Sequence, residues 1–203
     1  MPSGSKARIR ANIAAVQLLR ALQDAQRPAT PAEQRVLATW SGWGAVPQVF
    51  DPRASDLTAE RDTLAELLDR DQYRQAEASI LNAHYTDPAI AAVVWEALGR
   101  AGFSGGKVLE PGCGAGTFIA HAPDEAVMVG VESDATTAAI AALLYPSAQI
   151  RHEGFESTHV PENSFAAAVG NVPFGRYAVT DPAPHPPPAH HPRPRGHVRP
   201  GAC

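Results

Sequence analysis

Apolar residues recur at helical spacing from the start of the chain. Ile9, Ile13, Val16, Leu19 and Leu22 share one face of a helix predicted to run through Gln26. Pro28 and Pro31 break that run, and Thr30 is placed to cap a second helix reaching Trp40. Ser41-Gly42-Trp43-Gly44 then reads as a turn with an aromatic anchor, and residues 57–68 and 73–81 read as two further helices with charged outer faces. From residue 87 the period changes. A helix over 87–100, with Thr86 or Asp87 as cap and Pro88 in its first turn, is followed by short apolar runs at 108–111, 126–131 and 164–170. These runs read as buried parallel strands, and residues 135–144 as a helix between them. The pattern predicts an α-helical N-terminal region over residues 1–83, an α/β unit over 84–181 and a different tail over 182–203.

The first strand runs into a glycine turn, Val108-Leu109-Glu110-Pro111-Gly112-Cys113-Gly114-Ala115-Gly116-Thr117-Phe118. Strand, carboxylate, glycine turn and helix start together describe a nucleotide-type cofactor site, because Gly112, Gly114 and Gly116 allow a tight turn and close backbone approach to a ligand. The dinucleotide fingerprint puts its third glycine where this chain has Thr117. Glu110 would also set a negative charge near a pyrophosphate, whereas a sulfonium cofactor with an amino group welcomes it. S-adenosyl-L-methionine is the expected cofactor.

The strand at 126–131 ends in Glu132, about 20 residues after the turn, where an acid accepts ribose hydroxyls. A plainer role for Glu132 and Asp134 is to begin and cap the helix that follows. The last strand runs straight into Asn171-Val172-Pro173-Phe174. An exocyclic amine on adenine is a poor nucleophile because its lone pair is delocalised into the ring. Acceptors for both of its N–H bonds push the nitrogen toward tetrahedral geometry, and the Asn171 amide oxygen and the Val172 carbonyl are candidates. Pro173 stiffens the turn, and Phe174 offers a flat face to a base swung out of its stack. Orientation and acceptors aimed at developing positive charge would lower the barrier, without a strong general base. Taken alone, Asn-Val-Pro is also an ordinary loop.

At these residues the chain resembles the amino-methyltransferases of the adenine-specific DNA methylase family, whose motif is Asn-Pro-Pro-Phe/Tyr, with Val172 in place of the first proline. More narrowly, NVPFG, the upstream LNAHYTDP and the N-terminal GWGAVPQVFD are similar to large methylase-helicase proteins of phages and plasmids, a resemblance covering residues 6–181. It implies a partial Rossmann-like S-adenosylmethionine-dependent methyltransferase fold. It places Tyr85 and Thr86, within His84–Pro88, at the methionine end of the cofactor. Glu110, Pro111, Gly112, Gly114 and Gly116 become the cofactor loop, Glu132 the ribose acceptor and Asn171–Phe174 the target-base site. The family often has an acid just before an aromatic after the third strand. Here Glu153 stands one position early, so only Phe155 is carried over, as a ring packing on the cofactor. Transfer to protein glutamine or RNA, and a non-catalytic cofactor-binding remnant, are the alternatives.

Composition bounds this picture. With 203 residues, 44% of them hydrophobic, the chain can bury one moderate core and a helical attachment. No apolar run reaches membrane-spanning length and the start lacks a signal-peptide core, so a cytoplasmic location without membrane partners is expected. Cys113 and Cys203 support neither a disulfide framework nor a metal site. Lys6, Arg8, Arg10, Arg20, Arg27 and Arg35 outnumber Asp24 and Glu33 near the start, which reads as a face for DNA phosphates or simply as a solvated helix surface. The net charge of -4 lacks the basic footprint of an autonomous DNA-binding domain. After Asp181, eight of the nineteen prolines fall in the last 22 residues. This shift predicts an aberrant, out-of-frame end that replaces the remaining strands and the DNA-recognition surface, leaving a truncated enzyme with reduced or no activity. A genuine disordered polyproline tail is the other reading.

Overall fold

In the computed structural model, which describes residues 2–81 and 86–171, the apolar stripe of the first segment becomes the buried face of α1 (Ser5–Asp24). Ile9, Ile13, Val16, Leu19 and Leu22 all lie inside. α2 (Pro31–Leu37) begins with a reciprocal cap in which the Glu33 amide donates to the Thr30 hydroxyl and the Thr30 amide to the Glu33 carboxylate. It stops at Leu37, short of Trp40. The Thr39 and Trp40 amides reach back only three residues, to Val36 and Leu37, and the Thr39 hydroxyl also takes the Val36 carbonyl at 2.7 Å. The tightened chain turns Trp40 into the core.

There Trp40, Trp43, Phe50 and Tyr73 form an edge-to-face series with centroids 5.2, 5.7 and 5.4 Å apart. The Asn12 side chain, fully buried in α1, donates to the Gly42 carbonyl and accepts from the Ser41 amide, both at 2.8 Å, and so holds the turn that carries Trp43. α3 (Thr58–Leu67) and α4 (Arg70–Ala78) complete the region. α4 starts three residues before the apolar pattern does, because the Asp69 carboxylate caps the amides of Asp71 and Gln72. Its expected end is a separate 3-10 turn, Ser79–Leu81.

Much of the basic surface is used internally. Lys6 and Arg10 pair with the buried Glu60 at 3.7 and 2.9 Å, Arg20 binds Gln72, and Arg27 pairs with Glu33 at 2.6 Å. These four side chains therefore already have partners within the helical region.

α5 (Pro88–Arg100) is capped by Asp87, whose carboxylate accepts from the Ala89 amide at 2.8 Å. Four parallel strands follow, β1 (Gly106–Pro111), β2 (Ala126–Glu132), β3 (Gln149–His152) and β4 (Ala167–Ala168), in the order β3-β2-β1-β4. α6 (Thr117–Ala120) joins β1 to β2, and α7 (Ala135–Leu144) joins β2 to β3. Alternation sends Val108 and Met128 into one cluster with Trp95 and Phe118, and Leu109, Val129 and Val131 into another with Phe165. Both sheet faces are thus apolar, as parallel strands require. β4 is shorter than its apolar run. Asn163 at φ 59° and the Ser164 hydroxyl bonded to the Pro161 carbonyl prolong a turn, so pairing begins only where the Ala166 amide meets the Lys107 carbonyl. The strand order is that of half a doubly wound sheet, which makes this a partial Rossmann-like fold.

Candidate functional site

All four strands run the same way, so Pro111, Glu132, His152 and the segment after β4 emerge at one edge of the sheet. The order reverses at β1, whose neighbours β2 and β4 lead in opposite directions, and ligands of open α/β sheets bind outside such a switch point. The glycine turn leaves β1 at that place.

Its glycines do two different jobs. Gly112, Gly114 and Gly116 all adopt left-handed conformations, with φ of 65°, 54° and 86°. At Gly112 and Gly114 the side that a Cβ would occupy is open, which is what close approach of a ligand needs. At Gly116 a Cβ would strike the Tyr145 ring, so that glycine serves packing. Gly116→Ala is expected to cost about 3 kcal/mol of stability, combining left-handed strain with overpacking. Gly112→Ala should cost only the strain, about 1–2 kcal/mol. Urea unfolding of both variants checks the difference, and equal losses would contradict the division. The helix expected after the turn is a single turn of four residues, α6, closed by His121.

A network of backbone contacts fixes the turn. The Cys113 amide donates to the Val131 carbonyl and the Gly116 amide to the Cys113 carbonyl, both at 2.9 Å. Gly130 leaves room for the Cys113 sulfur, which lies 2.7 Å from where a Cβ would stand. Burial, with the charges of Glu110 and Glu132 adding to it, pushes the Cys113 thiol up, so it stays protonated and acts as a packing residue. Glu132 is the centre of this network. One of its oxygens accepts from the Gly114 amide at 2.9 Å and the other from the Asp134 amide at 2.8 Å. Capping of α7 falls to Asp134, whose carboxylate accepts from the Thr137 amide at 2.7 Å.

Glu110 is 3% exposed, and its Oε2 has no hydrogen-bond partner among the described residues. Burial pushes its carboxyl up to about 8, the neighbouring charge of Glu132 adds to this, and the Phe118 amide opposes it. A buried carboxyl oxygen without a partner is an unmet demand beside the turn, and a ligand's ammonium group set there would draw the acid back to its charged form. The open faces of Gly112 and Gly114, the spare lone pairs of Glu132 and this orphaned oxygen all fit S-adenosylmethionine.

The remaining expected residues divide by position. Thr86 lies just before the cap of α5 and is half-buried. Phe155 opens a 3-10 turn after β3 and is 52% exposed, so its ring is free to pack on a ligand. Glu153 is occupied locally, pairing with Arg151 at 2.7 Å and accepting from the Thr158 hydroxyl. Gly170 lies against the Pro111 carbonyl, so Asn171, half-buried, leaves β4 beside the start of the glycine turn. Tyr85, Val172, Pro173 and Phe174 lie outside the described residues. Sequence reasoning missed Tyr145 and Gly130, because each acts through a partner distant in the chain. Two grooves of 370 and 400 Å³ lie elsewhere, one by Trp95, Phe103 and His121 and one between α1 and α7.

No family model matches the chain. Over 97 residues it is 37% identical to the "Defense against restriction protein B" of Escherichia phage P1, a match covering 47% of this chain and 4% of that protein. It is also similar to the crystal structure of a candidate class I S-adenosylmethionine-dependent methyltransferase from Listeria monocytogenes. That likeness has a TM-score of 0.40 and 14% identity, and covers 83% of this chain and 60% of the other. At that distance it carries no inference about function. Among the described residues no helix is long and apolar enough to cross a membrane. The architecture itself is a partial Rossmann-like α/β sheet with an N-terminal helical region, and its carboxyl edge carries a glycine turn between two carboxylates.

Proposed function

We propose that the chain binds S-adenosyl-L-methionine and belongs to an enzyme that methylates the exocyclic amino group of adenine in DNA. One observation carries the reading. The Glu132 carboxylate locks the end of β2 to an open glycine turn through the Gly114 amide, while each oxygen keeps a lone pair for a ribose hydroxyl. The bound cofactor supplies an electrophilic methyl group on a sulfonium sulfur. Glu132 holds the ribose, Glu110 faces the amino group, and Gly112 and Gly114 let the backbone come close. Asn171, at the neighbouring strand end, accepts an N–H of the target amine through its amide oxygen and so orients the nitrogen lone pair. The motif that continues through Val172, Pro173 and Phe174 supports adenine as the target.

The internal pairing of Lys6, Arg10, Arg20 and Arg27 favours a second reading, in which this region binds the cofactor without contacting DNA or transferring methyl groups. Incubation with methyl-labelled S-adenosylmethionine and duplex DNA, RNA or protein separates the readings. Label recovered as N6-methyladenine from DNA, and lost in Asn171→Ala, is the expected result. Label in RNA or protein alone would overturn the substrate, and binding without transfer would favour the second reading.

A further inference from the structure

The N-terminal helical region reaches the glycine turn through four hydrogen bonds that the covalent frames of Thr137, Asp134 and Glu132 join end to end. The indole N–H of Trp40, itself 1% exposed, donates to the Thr137 hydroxyl at 3.1 Å. The Thr137 amide donates to the Asp134 carboxylate at 2.7 Å, the Asp134 amide to Glu132 Oε1 at 2.8 Å, and the Gly114 amide to Glu132 Oε2 at 2.9 Å. Trp40 therefore stands four contacts from the turn, with buried or half-buried groups at every step. The other end of α7 is held from the same side. The Gln34 side-chain amide donates to the Leu143 and Leu144 carbonyls at 3.0 and 3.4 Å, and the next residue, Tyr145, is the ring that backs Gly116. α7 is thus pinned at both ends by the helical region, and each pinned end leads to a different part of the turn.

From this geometry we propose that Trp40 is a positioning residue for the cofactor's ribose: acting through Thr137 and Asp134, it sets the orientation of the Glu132 carboxylate. The helical region is then part of the cofactor site. This inference rests on the reading of Glu132 as the ribose acceptor and adds where its alignment comes from. A carboxylate on a strand end has free rotation about its side-chain bonds. Fixing the acceptor before binding removes an ordering cost that each ligand would otherwise meet, so the relay acts on hydroxyl recognition rather than on general affinity.

The test compares binding of S-adenosylhomocysteine with that of its 2′,3′-dideoxyribose analogue, by competition, in wild type, Trp40→Phe, Thr137→Val and Glu132→Ala. Trp40→Phe keeps an aromatic ring and removes the N–H donor. Thr137→Val keeps the shape and removes the acceptor, so it serves if the first variant fails to fold. Each is expected to reduce the preference for the hydroxylated ligand about fivefold, the equivalent of one ordinary hydrogen bond, and to leave affinity for the dideoxy analogue unchanged. The double variant should lose no more than either single one, because both cut the same link. A purely structural role would weaken both ligands equally and leave the ratio intact. An unchanged ratio in folded variants, with a collapsed ratio in Glu132→Ala, would overturn the relay and leave the ribose reading standing. A wild-type protein with no preference would overturn both.

Discussion

Glu132→Ala is expected to lower affinity for S-adenosylmethionine by at least about 100-fold, since hydrogen bonds to a charged group contribute about 1.5–3 kcal/mol each and two ribose hydroxyls are lost together. The carboxylate does two things at once. It presents acceptors to the ligand, and it ties the Gly114 and Asp134 amides to the end of β2. Removing it frees the turn as well as the contact, so the loss should exceed that of an acceptor alone. Glu132→Gln keeps one carbonyl oxygen but sets an NH2 group against one of the two backbone donors, and it should fall between wild type and alanine. Calorimetric titration of the three proteins gives the order, with circular dichroism confirming the fold. Wild-type affinity in a folded Glu132→Ala protein would remove this residue from the site.

Glu110 should dominate the dependence of stability on pH between about 5 and 8. An ordinary glutamate carboxyl titrates near 4.5, whereas burial pushes this one up to about 8. Between those values the folded protein holds a proton that the unfolded chain has released. Stability from this group is therefore complete below the lower value, falls by about 1.4 kcal/mol per pH unit as pH rises, and levels off above the upper one. Summed over that window, the loss is on the order of 5 kcal/mol. Glu33 moves the other way, held down to about 2 by Arg27 and the Thr30 cap, and its contribution is lost only in acid, as pH falls from about 4.5 through 2. The two windows do not overlap. Glu110→Gln removes the titration while keeping the shape, so the variant should have a flat profile from pH 5 to 8 and exceed wild type in stability at pH 9. Urea unfolding at pH 5, 7 and 9 measures this, and parallel profiles for the two proteins would show that Glu110 is ionised throughout.

The parts legible in the sequence are those that local spacing determines. The face of α1 follows from Ile9 to Leu22, the cap of α2 from Thr30 and Glu33, and the glycine turn from its place after a run of strand residues. Glu132 is legible because a strand and a fixed separation from the turn locate it. Element ends were less legible. α2 stops early because the Thr39 hydroxyl takes a helix carbonyl, and β4 shrinks because Asn163 and Ser164 belong to a turn. Neither effect leaves a mark on hydrophobic periodicity. Least legible of all were contacts between residues far apart, such as Tyr145 behind Gly116, the Cys113 sulfur over Gly130, and Trp40 on Thr137. They arise only when the sheet and the helical region meet, and no spacing rule announces them. They also divide the three glycines into two that face open space and one that faces a ring, a difference invisible in the motif.

On the reading proposed above, the open glycine turn, with Glu110 and Glu132 beside it, holds S-adenosylmethionine. Calorimetric titration of S-adenosylmethionine into the folded protein tests it most directly. Saturable binding at one site per chain is expected, abolished or weakened at least about 100-fold by Glu132→Ala. No saturable binding by a wild-type protein shown to be folded would contradict it.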